Sequence, residues 1–489
     1  MATASIAPTG RQARRHHRQS PRNGAETSPP AAAKGGKPHV PAEALKAAGQ
    51  ALRERLPRQE QAKFRRDKAA VDPLAILRAA DKGRLENLLP IRYGRMLQSP
   101  FTFYRGSAAV MAADLAQTPS TGLRVQACGD CHLLNFGGFA TPERNILFDI
   151  NDFDETSPAP WEWDVKRLVA SFVLAARSQG IPDARGRAAA VACARSYRER
   201  LRDYAEMSPL DVWYARINDE DLVELAGSQK TKARIRERVA AATSRDSSES
   251  VFPQLAGMVG GKIQIRDQPP LIYHPAEIAA DEFQARIEDS LQTYRATLSD
   301  DRRDLLDQYR LVDGAVKVVG IGSVGTLCLV ILLMSAANDP LFLQWKEART
   351  SVLEPFAGAS AYAHHGQRVV MGQRLMQPAS DVFLGWATTQ AGRPGYVRQL
   401  RDAKIKPLVE AMDAELLEQY ALACGWVLAR AHAKAGSNEL SIAGYLGSKD
   451  RFDEAMGDFA LAYADQAERD HAALKAAVRA GKIKVMLEE

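Results

Sequence analysis

Gly129-Asp130-Cys131-His132-Leu133-Leu134-Asn135 sets an aspartate and an asparagine five positions apart in one loop. The loop follows a strand-like run, Leu123-Arg-Val-Gln-Ala-Cys128. A second such run, Asn145-Ile-Leu-Phe-Asp-Ile-Asn151, delivers the chain to Asp152-Phe153-Asp154. Two polar loops therefore sit at strand ends. Beyond Trp163 the pattern turns helical to about Ala240, with Val165, Leu168, Val169 and Phe172 spaced for one buried face.

Oxygen-bearing side chains in this order suit phosphoryl transfer. That reaction asks a protein for a carboxylate that positions the acceptor, oxygen ligands for Mg²⁺, and groups that hold the nucleotide phosphates. Asp130 is the candidate for the first task, taking the proton of an acceptor hydroxyl, and Asn135 and Asp152 are the candidate metal ligands. His132 is expected to orient the loop through hydrogen bonds rather than to act as a base. The plain alternative for all of these is turn formation, which Asp and Asn favour.

Phosphate-holding groups occur much later. Val319-Gly320-Ile321-Gly322-Ser323-Val324-Gly325 joins the strand-like runs Val316 to Val319 and Leu327 to Leu333, and Lys346 lies in a third run, Leu341 to Trp345 and the residues after it. Gly320, Gly322, Ser323 and Gly325 would let backbone N–H groups approach a triphosphate, with Lys346 as a point charge on its oxygens. A dinucleotide-binding turn and an ordinary tight turn share this glycine spacing. The first requires a helix to open at Gly325, and Thr326-Leu-Cys-Leu-Val-Ile-Leu-Leu has no polar helical face. Glu354 is a weaker candidate partner for Lys346, and Arg105 is a candidate for an anionic group or for packing against Tyr104 or a carboxylate.

Gly129 to Asn135 resembles the G-D-x-H-x-x-N catalytic loop of the aminoglycoside and choline phosphotransferase branch of kinase-like enzymes. Ile150-Asn-Asp-Phe-Asp154 is similar to that branch's metal-binding strand end, and Pro160-Trp-Glu-Trp-Asp164 to the stretch whose aspartate anchors the loop. The resemblance implies ATP and Mg as cofactors, with Asp154, His132 and Asp164 in supporting roles. The glycine turn with Lys346 looks like the nucleotide lobe that normally comes first, Gln367 to Gln377 like its next two strands and hinge, and Ala429-Arg-Ala-His432-Ala like the helix that normally precedes the catalytic loop. The expected fold is α+β, two-lobed and kinase-like, circularly permuted, with a small antiparallel β-sheet lobe and a larger, mostly helical one. Circular permutation is tolerated where the original termini lie close together at the surface. From about residue 80 to 475 the chain is also similar to the bacterial family labelled domain of unknown function 2252, on Phe101-Thr-Phe-Tyr-Arg-Gly106, Gly129 to Gly137, Asn151 to Glu155, Gly320 to Gly325, Gln344 to Ala348 and Gly372 to Gln377.

The organisation expected on these grounds is a basic, largely disordered leader over 1–70, with a charged helix possible from Pro41. A helical lobe with the catalytic loop follows over 71–310, then a β-rich nucleotide lobe over 311–395 and helices over 396–489 that complete the helical lobe. Residues 1–70 carry 15 Lys/Arg against 5 Asp/Glu, while the rest of the chain carries 50 against 54. The net charge of +6 therefore belongs to the leader, and nucleic acid is expected only as non-specific contact by that leader. Five scattered cysteines make no disulfide framework, and no run is long and apolar enough to cross a bilayer, so a cytoplasmic protein with no membrane partner is expected. The partners expected are a nucleotide and an unidentified, small hydroxyl acceptor. Two other functions fit the same cleft: a nucleotide-binding pseudoenzyme that signals through its conformation, and transfer of AMP rather than phosphate.

Overall fold

Four short strands frame the loop at 129–135: β1 (Arg124–Ala127), β2 (Phe136–Ala140), β3 (Ile146–Ile150) and β4 (Ser157–Pro160). The computed structural model describes residues 40–66, 72–243, 252–400, 404–436 and 438–487; the expected disorder of the leader falls largely on residues outside these. β1 pairs antiparallel with β4, and β2 with β3, so the loop after β1 and the turn after β3 open side by side.

Further strands follow: β5 (Ala256–Val259), β6 (Lys262–Ile265), β7 (Ile272–Tyr273), β8 (Tyr309–Lys317), β9 (Cys328–Ser335), β10 (Pro340–Glu347), β11 (Gly385–Thr388), β12 (Pro394–Gln399) and β13 (Lys404–Ile405). Six of them form one antiparallel sheet in the order β11-β12-β10-β9-β8-β7, and β13 pairs with β2. A run that is apolar at every position must be covered on both faces, and Cys328 to Met334 of β9 is one. Leu329, Ile331 and Leu333 pack with Ile287 and Tyr294 of the helix Ala280–Arg295, while Val330, Leu332 and Met334 pack with Leu255 and Ile265 around the β5–β6 hairpin.

The same alternation on β10 puts Leu341, Leu343 and Trp345 against the helix and Phe342, Gln344 and Lys346 on the other face. The register places Tyr396 opposite Lys346 and Arg398 opposite Gln344. One end of that face is therefore polar although the sheet around it is not.

The helical body is built on Trp161–Ser178, Asp183–Tyr204, Ala414–Ala435 and Arg451–Arg479. Small residues let the second and third of these approach closely: a Cβ on Gly425 would stand 2.2 Å from the Cys193 carbonyl oxygen. Arg430, on the third, reaches back to Asp149 of β3 with both partners buried. The helix Ala42–Arg55 is also in place, with the Arg53 Nε–H donating to the Tyr445 carbonyl at 2.8 Å.

The fold is thus α+β with several small antiparallel sheets, and among the described residues no helix is long and apolar enough to cross a membrane. Two local expectations are corrected. Gln367 to Gln377 forms no strands and lies in the helix His365–Met376 and its end, because Val369, Val370, Gln373 and Met376 are buried at helical spacing. Helix does not begin at Tyr396, which is in β12; it begins at Ala414, where Asp413 caps the first turn.

Candidate functional site

Gly129 turns the chain out of β1 with φ at +87°, and a Cβ there would lie 2.3 Å from the Glu155 carbonyl oxygen, so only glycine fits. The turn is held from behind by Asp164 in the first turn of the helix Trp161–Ser178. Its carboxylate accepts the backbone N–H of Cys128 at 2.6 Å and of Gly129 at 2.9 Å. His432 from the helix Ala414–Ala435 meets Asp164 at 3.2 Å, and its other ring nitrogen lies 2.9 Å from the Tyr197 hydroxyl. A C-terminal helix thus braces the loop through one buried carboxylate.

Asp130 is positioned from the same helix. Arg167, three residues past Asp164, donates to Oδ1 of Asp130 from Nε at 2.8 Å and from Nη2 at 2.5 Å, and Nη2 also reaches the Tyr104 carbonyl at 3.0 Å. Both contacts fall on one oxygen. The other, Oδ2, has the His132 Nε2 at 3.9 Å, and burial pushes the pKa of that imidazole down to about 3. His132 is consequently neutral near pH 7 and ill suited to carry charge. Asn135 closes the loop, its side-chain N–H donating to the Asp130 carbonyl at 2.7 Å and its own carbonyl accepting the Asn151 N–H at 2.8 Å. Asn135 and Asp152 are in this way fixed on two adjoining segments.

Across from them stands the end of β10. Lys346 is 5% exposed at its side chain; it forms an ion pair with Asp154 and lies 3.8 Å from Asp152. Asp154 also accepts the hydroxyl protons of Ser323 at 2.8 Å and Tyr396 at 2.7 Å. Although burial works against its charge, the Lys346 ammonium and these hydrogen bonds hold the Asp154 pKa down to about 2. Burial and then the charge of Asp154 push Asp152 the other way. Despite its own burial, Lys346 is kept protonated by the two carboxylates. Arg398 completes this polar end, donating to the Gln344 side chain at 3.1 Å and to the Asn151 carbonyl at 3.3 Å.

The glycine turn lies between these groups. Ile321–Ser323 form a short 3₁₀ turn after Gly320, and Gly325 has φ at +88°. Arg84 and Leu85 pin it from outside: an Arg84 Nη1–H donates to the Val324 carbonyl at 2.6 Å, and the Leu85 N–H to the Gly325 carbonyl at 2.7 Å. A Cβ on Gly322 would stand 3.7 Å from Asp130 Oδ2 and 3.5 Å from the Arg105 carbonyl. With Ser323 bonded to Asp154, the turn touches both carboxylate loops. Asp130, Asn135, Asp152, Asp154, Ser323 and Lys346 therefore occupy one place in the fold.

Other candidates go elsewhere. Glu354 accepts the backbone N–H groups of Ser351 and Ser360, each at 3.2 Å, and lies 3.8 Å from Arg368, so its charge is not spent on Lys346. Cys128 and Cys131 are buried free thiols, and burial raises the pKa of both, Cys128 to about 11. Among the described residues no three His, Cys, Asp or Glu side chains cluster as a metal cage. Arg167, Tyr396 and Arg398 were not singled out from the sequence. Arg167 was legible in principle, since Asp164 and Arg167 are spaced to share one helix face; Tyr396 and Arg398 become meaningful only through the β10–β12 register.

No curated protein and no solved structure matches the chain. Residues 84–477 match the family described as "Uncharacterized protein conserved in bacteria (DUF2252)". That span contains every candidate residue above and most of the chain, and the protein belongs to this family.

Proposed function

We propose that the protein is a cytoplasmic, ATP- and Mg²⁺-dependent phosphotransferase with a circularly permuted kinase-like fold, acting on a hydroxyl of a small molecule. One observation carries the reading: the glycine turn and Lys346, nearly 200 residues downstream, meet Asp152, Asp154 and the free oxygen of Asp130. The bracing of Asp164 by His432 supports the permutation, since it brings a helix from the end of the chain behind the loop it would ordinarily precede.

In this reading Asp130 Oδ2 orients the acceptor hydroxyl and takes its proton, while Arg167 holds Oδ1 and so fixes the carboxylate plane. Lys346, flanked by Arg398, binds phosphate oxygens, and the turn from Gly320 to Gly325 covers them. Asn135 and Asp152 would hold Mg²⁺. Asp152 fits that task better than Asp154, whose oxygens already carry Lys346, Ser323 and Tyr396, and two protein oxygens are what Mg²⁺ uses when phosphates and water complete its shell. When bound, the ion neutralises charge on the phosphates. The γ-phosphoryl group passes to the acceptor oxygen, ADP leaves, and the proton rests on Asp130.

The test is Asp130→Ala. Phosphate transfer or ATP hydrolysis should fall to background while Mg²⁺·ATP still binds; undiminished turnover would remove Asp130 from the chemistry. Stabilisation by Mg²⁺·ATP with no phosphate released on any acceptor identifies a nucleotide-binding regulator instead, and an AMP adduct in the product identifies nucleotidyl transfer.

A further inference from the structure

We propose that Arg105 forms an anion-binding subsite beside Asp130, and that the acceptor carries a phosphate or carboxylate near its reactive hydroxyl. The proposal rests on the phosphotransfer reading and deepens it by naming an acceptor class.

Arginines near the loop are otherwise occupied. Arg167 is committed to Asp130 and Tyr104, Arg92 donates to the Gly106 carbonyl at 2.8 Å, and Arg95 donates to the Val319 carbonyl. Arg92 also has a buried Nε without a partner, but unlike the other three, Arg105 makes no side-chain hydrogen bond among the described residues. Its side chain is half-buried in the short helix Pro100–Gly106, its Nε is buried without a hydrogen-bond partner, and among the described residues it forms no ion pair. The Nε–H forgoes hydration without a compensating acceptor, which is costly unless a ligand supplies one, while the rest of the guanidinium remains open to such a ligand.

Its position is set by its neighbours. Residue 104 is tied to Arg167 twice, through the Tyr104 carbonyl and through its hydroxyl, which donates to the Arg167 carbonyl at 2.7 Å. The Arg105 carbonyl lies against Gly322, on the side of the turn where Asp130 Oδ2 also lies. Burial lowers the Arg105 pKa, and the charges of Asp130 and Glu410 oppose that only in part. Asp130 is the larger of the two opposing charges, and its carboxylate is already paired with Arg167, so neither it nor Glu410 is bonded to the Arg105 guanidinium. A hydroxyl compound with an anionic group places its hydroxyl at Oδ2 and its anion at Arg105, where the guanidinium fork favours phosphate or carboxylate. A polycationic acceptor would meet Arg105 as a like charge.

The same guanidinium chemistry also suits the terminal phosphate of the nucleotide, and the experiment separates the two sources. Radiolabelled inorganic phosphate is the probe, measured by equilibrium dialysis against the full chain with saturating Mg²⁺·ADP and, separately, Mg²⁺·AMP-PNP. Phosphate is expected to bind in both, and Arg105→Gln to weaken it by at least about tenfold, the loss of a charge-assisted hydrogen bond, with Mg²⁺·ADP affinity within about twofold. Binding that AMP-PNP abolishes assigns the site to the nucleotide and overturns the acceptor assignment. No phosphate binding, or equal binding by Arg105→Gln, overturns the subsite. Loss of Mg²⁺·ADP binding with Arg105-dependent phosphate binding intact overturns the phosphotransfer reading and leaves the subsite standing. On the unsubstituted chain, phosphate should slow phenylglyoxal labelling of Arg105; labelling indifferent to phosphate contradicts the proposal without relying on a variant that folds.

Discussion

Replacing Arg430 by Met should destabilise the protein by about 3 kcal/mol or more at neutral pH, in the range for breaking a buried ion pair on one side. Arg430 is 0% and Asp149 1% exposed at the side chain, and one Nη2 of the arginine reaches both carboxylate oxygens, at 2.9 and 2.7 Å. The contact ties the helix Ala414–Ala435 to β3, three residues before Asp152, so it fastens a distant part of the chain to the candidate metal loop. Burial already raises the Asp149 pKa, and Arg430 is the largest influence opposing it. Without Arg430 the folded-state pKa climbs further above the unfolded value. Folding then takes up a proton, and the loss should grow as pH rises from about 5 to about 8. The double variant Asp149→Leu/Arg430→Met should recover part of the stability, because Arg430 Nε and Nη1 lack partners in the native protein, although the buried Ile150 N–H, which donates to Asp149 Oδ1 at 2.7 Å, loses its acceptor. Urea unfolding of the four proteins reads this cycle. Losses that simply add, or an Arg430→Met midpoint equal to that of the native chain, would refute the reasoning.

Glu155→Gln should remove a pH dependence. Burial raises the Glu155 pKa to about 7 from a reference of 4.5, so native stability should decline as pH climbs through that window, by up to about 3 kcal/mol, and the variant should be the more stable protein at about pH 8. Melting curves from about pH 5 to about pH 8 check the sign; a native chain whose stability does not decline relative to Glu155→Gln contradicts it. Gly129→Ala forces a side chain onto the Glu155 carbonyl at positive φ, and should cost more than the roughly 1 kcal/mol typical of an ordinary substitution and depress any turnover with it. A melting temperature and rate within error of the native chain would show that the loop is not held as described.

What the sequence disclosed and what it hid follow from the range of the interactions. Asp130, Asn135 and Asp152 stand at strand ends that short-range alternation locates, and β9 is apolar from Cys328 to Met334 because the sheet is covered on both faces. Their meeting with Lys346 could be expected only by analogy, since no local pattern spans the distance between β3 and β10. The 365–376 helix was misread because Val369 and Val370 are β-branched and short windows of apolar residues do not distinguish strand from buried helix. β2 escaped notice for a related reason: Gly137 and Gly138 dilute its apolar signal, yet Ile405 of β13 packs so closely on them that larger side chains would collide. Arg398 looks like an ordinary surface cation in sequence, and only register marks it out; Arg105 stood as a candidate for an anion or for packing, and burial of its unpartnered Nε bears on that choice.

Calorimetric titration of the full chain with ATP, with and without Mg²⁺, and of Asp152→Asn under the same conditions, addresses the shared cleft directly. Mg²⁺-dependent binding of ATP that Asp152→Asn weakens, and that Lys346→Met also weakens, is the expected result. A native chain that takes up no ATP at millimolar nucleotide with Mg²⁺ present, although folded, would contradict the account.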